Sequence, residues 1–370
     1  MGLGILIITK AGVDQELTQM VSSVEVHEQI DQPTTYKINF AIDICDKDIA
    51  KTLHAVTDPH AVLGVLVAVK DTMVCLVNGP VTKQMANLKH GGAGSSLQVE
   101  GSDHSHDLGR KDEGNQPWKD TSDSGIFSSI MTEKGFGSDV EDTGGMAHIE
   151  SDHTLSQIVS NVELIKQLAA RNAYHFWITY DENGGGTGHF KTRNLKADGP
   201  PQKLIVNLEN NNIDHLNITW DINKATKVHI QNINLSTKVI SALDLTLENE
   251  ETLGDISLFQ LAKGKEITMQ LSLAADTEMD MRKRGKAALM EAHWFIDATC
   301  QTSLHKLCDI VRVHTVVFVD GAGKRHSGKY YVTSVTHTID AANHKMDIKL
   351  ARNGWGKDGE DVDNLLAKIF

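Results

Sequence analysis

Tyr36-Lys37-Ile38-Asn39-Phe40-Ala41-Ile42-Asp43-Ile44 alternates apolar with mostly polar side chains over nine residues. Successive side chains of a strand point to opposite faces, so this stretch has one apolar face and reads as a half-buried strand. Upstream, Val24, Val26 and Ile30 keep the same period, and Asp31-Gln32-Pro33 supplies a turn between two strands. Downstream, Ala61–Val69 is an apolar run of strand length, and Asp71-Thr72 turns it into Met73–Val77. Gly91-Gly92-Ala93-Gly94 then precedes a strand over Ser96–Glu100. Residues 1–112 therefore read as β with short connections, apart from one helical turn near Asp48–His54.

The pattern then changes. Asp123 or Ser124 caps a short helix through Ile126, Phe127, Ile130 and Met131, which Gly135 ends. Ser160-Asn161-Val162-Glu163 has capping-box spacing, Leu164, Ile165, Leu168 and Ala169 form an apolar stripe, and Arg171-Asn172 closes that helix. Tyr174–Tyr180, the turn at Asn183-Gly184-Gly185-Gly186 and Gly188–Arg193 make a hairpin. Strands return at Lys203–Leu208, Ile213–Ile222, Lys227–Ile233 and Leu243–Leu247. A long helix from about Thr277 to Thr299 carries Met279, Arg282, Lys286, Leu289, Met290, His293 and Trp294 on a broad half-apolar face. Ile310–Val319, Lys329–Ile339 and Asp347–Ala351 are strands, and residues 357–370 run from charged to apolar, with Leu365, Leu366, Ile369 and Phe370. Cys75–Thr82 echoes Lys329–Thr336, and each is followed by a turn and a closing strand. The echo points to two related β units around an α+β insert.

Composition narrows the functions. At about 150 residues per domain, 370 residues suggest two or three domains, large enough to need no staples. Four cysteines (Cys45, Cys75, Cys300, Cys308) are too few for a disulfide scaffold, fit a reducing compartment, and lack zinc-ribbon spacing. The net charge of −13 argues against nucleic acid and against an anionic membrane surface. Gly2–Ile8 is too short for a signal core or a membrane span, so no standard export route is expected.

The chemical motifs are weak. Gly323-Lys324-Arg325-His326-Ser327-Gly328-Lys329-Tyr330 satisfies Gly-x-x-x-x-Gly-Lys but has Tyr330 where magnesium needs Ser or Thr. Strand formers follow it, whereas a phosphate loop must open a helix, so a hairpin loop is expected. His54-Ala55-Val56-Thr57-Asp58 and His104-Ser105-His106 resemble, in that order, the zinc signatures of lysostaphin-type cell-wall peptidases. Their flanks depart from that family, and His104–His106 reads as an exposed loop. Cys300 or Cys308 with His293 or His305 would make a Cys–His pair, but no orienting Asn or Asp accompanies them, and buried apolar Cys is the default. The expectation is no catalytic, cofactor-binding or metal-binding residue and no enzyme activity.

Two stretches carry a family likeness. Gly101-Ser102-Asp103, Leu108-Gly109-Arg110-Lys111, Trp118 through Ile126, Gly135-Phe136 and Ser160 through Tyr174 follow one another at spacings that resemble the phage late-control protein D family. These are the central hubs of contractile tails, similar to the N-terminal part of type VI secretion spike proteins. Phe318, Gly321, Ser327 through Val332, Val335-Thr336-His337 and Leu350-Ala351-Arg352-Asn353 look like the family's closing barrel. The likeness covers roughly residues 20–355; Ala173 stands where the family usually has Gly.

The resemblance implies a mainly β, α+β chain with two tube-like β-barrel domains, 1–112 and 201–356, flanking a small α+β domain at 113–200, with a tail at 357–370. It implies a homotrimeric baseplate hub joining a three-fold spike to a six-fold inner tube, with tape measure and other baseplate proteins as further partners. The chain would assemble in the bacterial cytoplasm, bind no nucleic acid and insert in no membrane. With no needle domain before Phe370, the spike is expected to be a separate protein. The alternatives are a tail-associated zinc peptidase built on His54, Asp58, His104 and His106, or an adaptor elsewhere in the tail.

Overall fold

The computed structural model describes residues 4–43, 53, 57–92, 94–110, 116–144, 148, 155–196, 199–207, 209–233, 240–272 and 278–356. The first segment holds β1 (Ile5–Thr9), β2 (Gly12–Asp14), α1 (Gln15–Met20), β3 (Val21–Gln29), β4 (Thr35–Ile42), β5 (Val62–Val69), β6 (Thr72–Asn87), β7 (Ser95–Ser102) and α2 (Ser105–Leu108). The middle holds β8 (Gln116–Trp118), α3 (Asp123–Glu133), β9 (Gly137–Val140), β10 (Leu155–Gln157), α4 (Asn161–Asn172), β11 (His175–Tyr180) and β12 (Gly186–Lys191). The last begins with β13 (Gln202–Ile205), β14 (Leu216–Trp220), β15 (Lys227–Ile233), β16 (Ile240–Thr246), β17 (Ile256–Ser257), α5 (Leu258–Leu261) and β18 (Thr268–Ser272). It continues with α6 (Glu278–Ala292), β19 (Ile296–Ser303), α7 (Leu304–Leu307), β20 (Val316–Asp320), β21 (Gly328–Asp340), β22 (His344–Arg352) and β23 (Gly354–Trp355).

The protein is mainly β, and one thirteen-stranded sheet runs through both outer segments. Its path is β14-β19-β22-β21-β3-β4-β7-β6-β5-β1-β2, with β20 beside β21 and β13 beside β20. The two segments meet where β3 pairs antiparallel with β21, Val26 opposite His337. Alternation places Val24, Val26, Tyr36, Ile38 and Phe40 in the same core as Val332, Val335, Ile348 and Leu350.

The expected tube-like barrels do not show as closed rings: the sheet has two halves, one from each outer segment, and its strand circuit does not close among the described residues. In the first, α1 packs beside β1, and Thr18 Oγ1 accepts from the Ile7 amide at 2.9 Å. In the last, residues 212–214 span the opening. Asn212 donates to the Ile205 carbonyl and Asp214 to the Gln301 carbonyl. A short helix and a loop thus satisfy backbone groups that a closing ladder would have paired.

Other differences have local causes. β1 is too short an apolar run to read as a strand without its partner β5. Ser122, not Asp123 or Ser124, caps α3, its hydroxyl accepting from the Gly125 amide at 3.1 Å. Ser160 precedes α4 but makes no side-chain cap bond. Asn172 is the last helical residue and Ala173 takes the left-handed conformation, φ 57°, where glycine would be free of strain. α6 ends at Ala292 rather than Thr299, because buried Ile296, Ala298 and Cys300 alternate as a strand between β14 and β22. Its buried residues are Asp280, Met281, Gly285, Ala287 and Leu289, so Leu289 of the expected face is buried while Met279 is 78% exposed. Gly285 lets the helix settle on β15 and β16, since a Cβ there would lie 2.4 Å from Ile230 Cδ1. The strand expected over Ile310–Val319 begins only at Val316, after His314 turns into the left-handed region at φ 66°. Ile44, the turn near Asp48–His54 (Leu53 apart) and residues 357–370 lie outside the described residues.

Candidate functional site

The residues that sequence reading weighed for catalysis do not converge. His54 lies outside the described residues, and Asp58 is exposed. His106 sits on the one-turn helix α2 and His104 at its N-cap, rather than in a loop. His104 Nδ1 lies 3.1 Å from Asp107 Oδ2, and its amide donates to Tyr180 Oη at 3.0 Å. Among the described residues, no three His, Cys, Asp or Glu side chains gather as metal ligands. Cys300 is buried in β19, where burial pushes its thiol up to about 12. Cys308 is exposed at the end of α7, and His305 lies on that helix. His293 is fully buried and turned toward Glu250, with Nδ1 2.7 Å from Oε2. The Gly323–Lys329 stretch joins β20 to β21 and opens no helix, with Lys329 paired opposite Phe318.

What does converge is ionic and lies where the three segments meet. Asp123, in the first turn of α3, is fully buried. His148 Nε2 lies 2.8 Å from its Oδ1, Asn172 Nδ2 donates to Oδ2 at 2.8 Å, and Arg171 Nη1 is 3.6 Å away. Burial disfavours the charged carboxyl, but these partners outweigh it and hold the group below its ordinary range. Arg171 also reaches Asp280 of α6, Nε to Oδ1 2.9 Å. One carboxylate therefore links α3 and α4 to the helix of the last segment.

A second node centres on His175 at the start of β11. Its Nδ1 lies 2.8 Å from Asp31 Oδ1, in the β3–β4 turn, and its Nε2 lies 3.5 Å from Glu291 Oε1 of α6. Burial alone would lower this imidazole; the two carboxylates outweigh it and raise it. Arg193 Nη2 lies 2.8 Å from Glu291, and its guanidinium stands 4.4 Å over the Trp294 ring. Beside them Trp177 stacks between His189 and His314, at 4.8 and 3.7 Å between centroids. His314 is pushed well below its ordinary range by burial and by His175 and Arg193. Both nitrogens of His175 face carboxylates, so the arrangement fastens segments.

One arginine completes the junction, and a second ties the last segment together. Arg312, in the loop before β20, donates to the Cys75 and Leu76 carbonyls of β6 at 2.9 and 3.2 Å, and lies 2.6 Å from buried Glu28 of β3. Arg352, fully buried at the end of β22, donates to the carbonyls of Leu253, Ser327 and Gly356 and lies over Tyr330. Sequence reading included Arg352 in the family likeness and missed Arg312, Glu28, Asp31, His175 and Glu291 as partners. No local spacing signals such pairs.

Two flanks of the sheet have no neighbour among the described residues. β6 pairs with β5 up to Pro80 and with β7 from Val81, so Lys83–Asn87 have a described strand on one side only. Met85 and Leu88 are 53% and 59% exposed there. Among the described residues β14 pairs only with β19, and its Trp220 is 49% exposed.

These features can be set beside solved structures. The 43 kDa tail protein of prophage MuSo2 from Shewanella oneidensis superposes with a TM-score of 0.68 at 13% identity, covering 95% of this chain and 98% of that one. A tail protein from Neisseria meningitidis gives 0.67 at 10% identity, covering 95% and 97%. The chain has the phage tail-protein fold. A third chain with this tail-protein fold is an Escherichia coli component of the type VI secretion system, itself described as similar to bacteriophage T4 tail proteins. It gives 0.57 at 13% identity, covering 91% of this chain and 74% of that one. No protein-family model matches the sequence, and neither does any curated protein. Among the described residues of this tail-protein fold, no helix is long and apolar enough to cross a membrane.

Proposed function

We propose that the protein is the central hub of a contractile-tail baseplate, a homotrimer that joins a three-fold spike to a six-fold inner tube. One observation carries the reading. Each chain holds one thirteen-stranded sheet whose two halves, one from each outer segment, join through β3 and β21, with flanks of β6 and β14 that have no neighbour among the described residues. Three copies would set six such halves in a ring, and pairing their flanks would remove a template for aggregation. The tail-protein fold over nearly the whole chain supports the same reading.

The role is mechanical, with no catalytic residue, cofactor or metal. The partners are two further copies of the chain, the spike, the inner tube, and the tape measure with other baseplate proteins. Assembly takes place in the bacterial cytoplasm, followed by incorporation into a virion or injection particle. The outer segments act as two similar units, 1–112 and 201–356, around the insert at 113–200.

Cryo-electron microscopy of the chain co-expressed with its tube and spike tests this. Three copies at the spike–tube junction, with the two halves of each sheet alternating around the ring, are expected. Six copies there, or a position above the first tube ring, would overturn the reading, the latter in favour of an adaptor.

A further inference from the structure

The small sheet of the insert has two unlike faces. Phe176, Ile178 and Tyr180 of β11 and Phe190 of β12 join a core with Phe127 and Ile130 of α3. Alternation therefore puts Trp177, Thr179 and His189 on the opposite face. There His189 lies opposite Trp177 on one side and opposite Asp139 of β9 on the other.

Three side chains on that face form a continuous hydrogen-bonded line. Thr179 Oγ1 lies 2.7 Å from His189 Nε2, and His189 Nδ1 lies 2.9 Å from Asp139 Oδ2. Lys191 Nζ also reaches Asp139 and holds that carboxyl below its ordinary range, so its oxygens only accept. His189 Nδ1 must then carry a proton. In the neutral ring Nε2 is left with a lone pair, which accepts from the Thr179 hydroxyl. Asp139 of β9, Lys191 of β12 and, across Trp177, His314 face this ring. Burial lowers its value, and Asp139 only partly restores it, so the ring is neutral near pH 7. Trp177 stacks on it 12° from parallel, which fixes its plane. The His189 side chain is 16% exposed and that of Asp139 45%, so solvent reaches the line. A hydroxyl held by an imidazole that a carboxylate orients has the arrangement of an activated nucleophile.

The turn amides that follow β11 are already engaged. Asn183 and Gly185 donate to Asp181 Oδ1, each at 2.8 Å, and Gly184 donates to the Asp181 carbonyl. With those amides unable to hold a developing oxyanion, the leaving group must be a good one.

We propose that Thr179 is an acylation site for activated esters, with His189 as its general base and Asp139 as the residue that positions the base. The Thr179 oxygen attacks the ester carbonyl carbon while its proton passes to His189 Nε2. The bond to the leaving group breaks, the phenolate departs with the electron pair, and the imidazolium returns the proton to solvent. The modification is stoichiometric, one acyl group per chain. It goes beyond the hub reading, which uses none of these three side chains, so neither stands or falls with the other.

The full chain treated with p-nitrophenyl acetate tests this. Peptide mapping by mass spectrometry follows acetyl groups at Thr179 and at Thr219, an exposed residue on β14. Loss of the label in hydroxylamine separates esters from lysine amides. Thr179 is expected to react at least tenfold faster than Thr219, and the excess should vanish in concentrated urea. His189→Gln should slow Thr179 at least tenfold. The rate should rise with pH and level off, with a midpoint below 6.5, as His189 loses its proton. Asp139→Asn should move that midpoint lower still, which a merely structural role would leave in place. Equal rates at Thr179 and Thr219 in the native chain overturn the proposal, and no variant needs to fold for that comparison. An unchanged rate in a His189→Gln chain of native circular dichroism also overturns it. An unmoved midpoint in Asp139→Asn overturns the positioning role.

Discussion

Arg312 donates to the carbonyl of Cys75, 237 residues earlier in the chain, at 2.9 Å. The same guanidinium neutralises Glu28, whose side chain is 5% exposed, so a single cation bridges β3 and β6. Removing one partner of a buried pair leaves the other charge uncompensated. Arg312→Met should cost about 3 kcal/mol. Arg312→Met with Glu28→Gln should recover part of that loss, as read from urea unfolding midpoints. Additive losses would show that the pair is not coupled.

His337 and His344 predict acid sensitivity. His337 Nδ1 lies 2.9 Å from His344 Nε2, and neither ring has another hydrogen-bond partner among the described residues. Burial, reinforced by His344, pushes His337 well below its ordinary range, and burial lowers His344 from 6.5 to about 4. Unfolding therefore takes up protons between those values. Stability should be full above pH 6.5 and fall as pH drops toward 4, by about 1.4 kcal/mol per pH unit for each histidine. His175 acts with the opposite sign. Its raised value gives stability that is full below pH 6.5 and fades as pH rises through its folded value. Urea midpoints measured from pH 4 to 8 should show a smaller acid slope in the His337→Gln, His344→Gln double variant, the remainder coming from groups such as His314. An unchanged slope would sink the assignment.

Gly79 is a steric requirement. A Cβ at this position would lie 2.0 Å from the Ser102 carbonyl oxygen and 2.8 Å from Asp103 Cα, both backbone atoms without freedom to retreat. Gly79→Ala should therefore destabilise by about 3 kcal/mol or prevent folding. Gly264→Ala makes a useful control, because at φ 80° it carries backbone strain but meets nothing within 4 Å. Thermal melts in which Gly79→Ala is the milder of the two would contradict the argument.

The purified chain should bind neither ATP nor stoichiometric zinc and should leave peptidoglycan intact. The glycine-rich loop joins two strands, and His104 and His106 both face Asp107 on a one-turn helix. One zinc per chain by elemental analysis, lost in His104→Ala, would restore the peptidase alternative.

Strands that alternate were legible because the signal is local. Val24 to Phe40 and Lys227–Ile233 carry their own periodicity, and Gly135, with φ 80°, marks its helix end. The junction was not legible. Asp31 and His175 are 144 residues apart, and each reads alone as an ordinary polar residue. The face of α6 was misread because Gly285 acquires meaning only against Ile230 and Leu245. Ser160 shows the converse, a capping spacing whose side-chain bond never forms. The family likeness succeeded where periodicity stopped, since it rests on the order of widely separated motifs.

The β3–β21 ladder also sets a schedule for synthesis. His27 Nδ1 meets Thr336 Oγ1 at 2.8 Å across 309 residues. A ribosome adding about 5–20 residues per second leaves β3 waiting roughly 15–60 s for its neighbour. During that interval the first sheet carries a bare strand flank while the rest of the chain is still being made. Nascent copies on one messenger would be exposed to one another through that flank, so its cover by a chaperone, or by the chain's own early compaction, becomes a condition for yield.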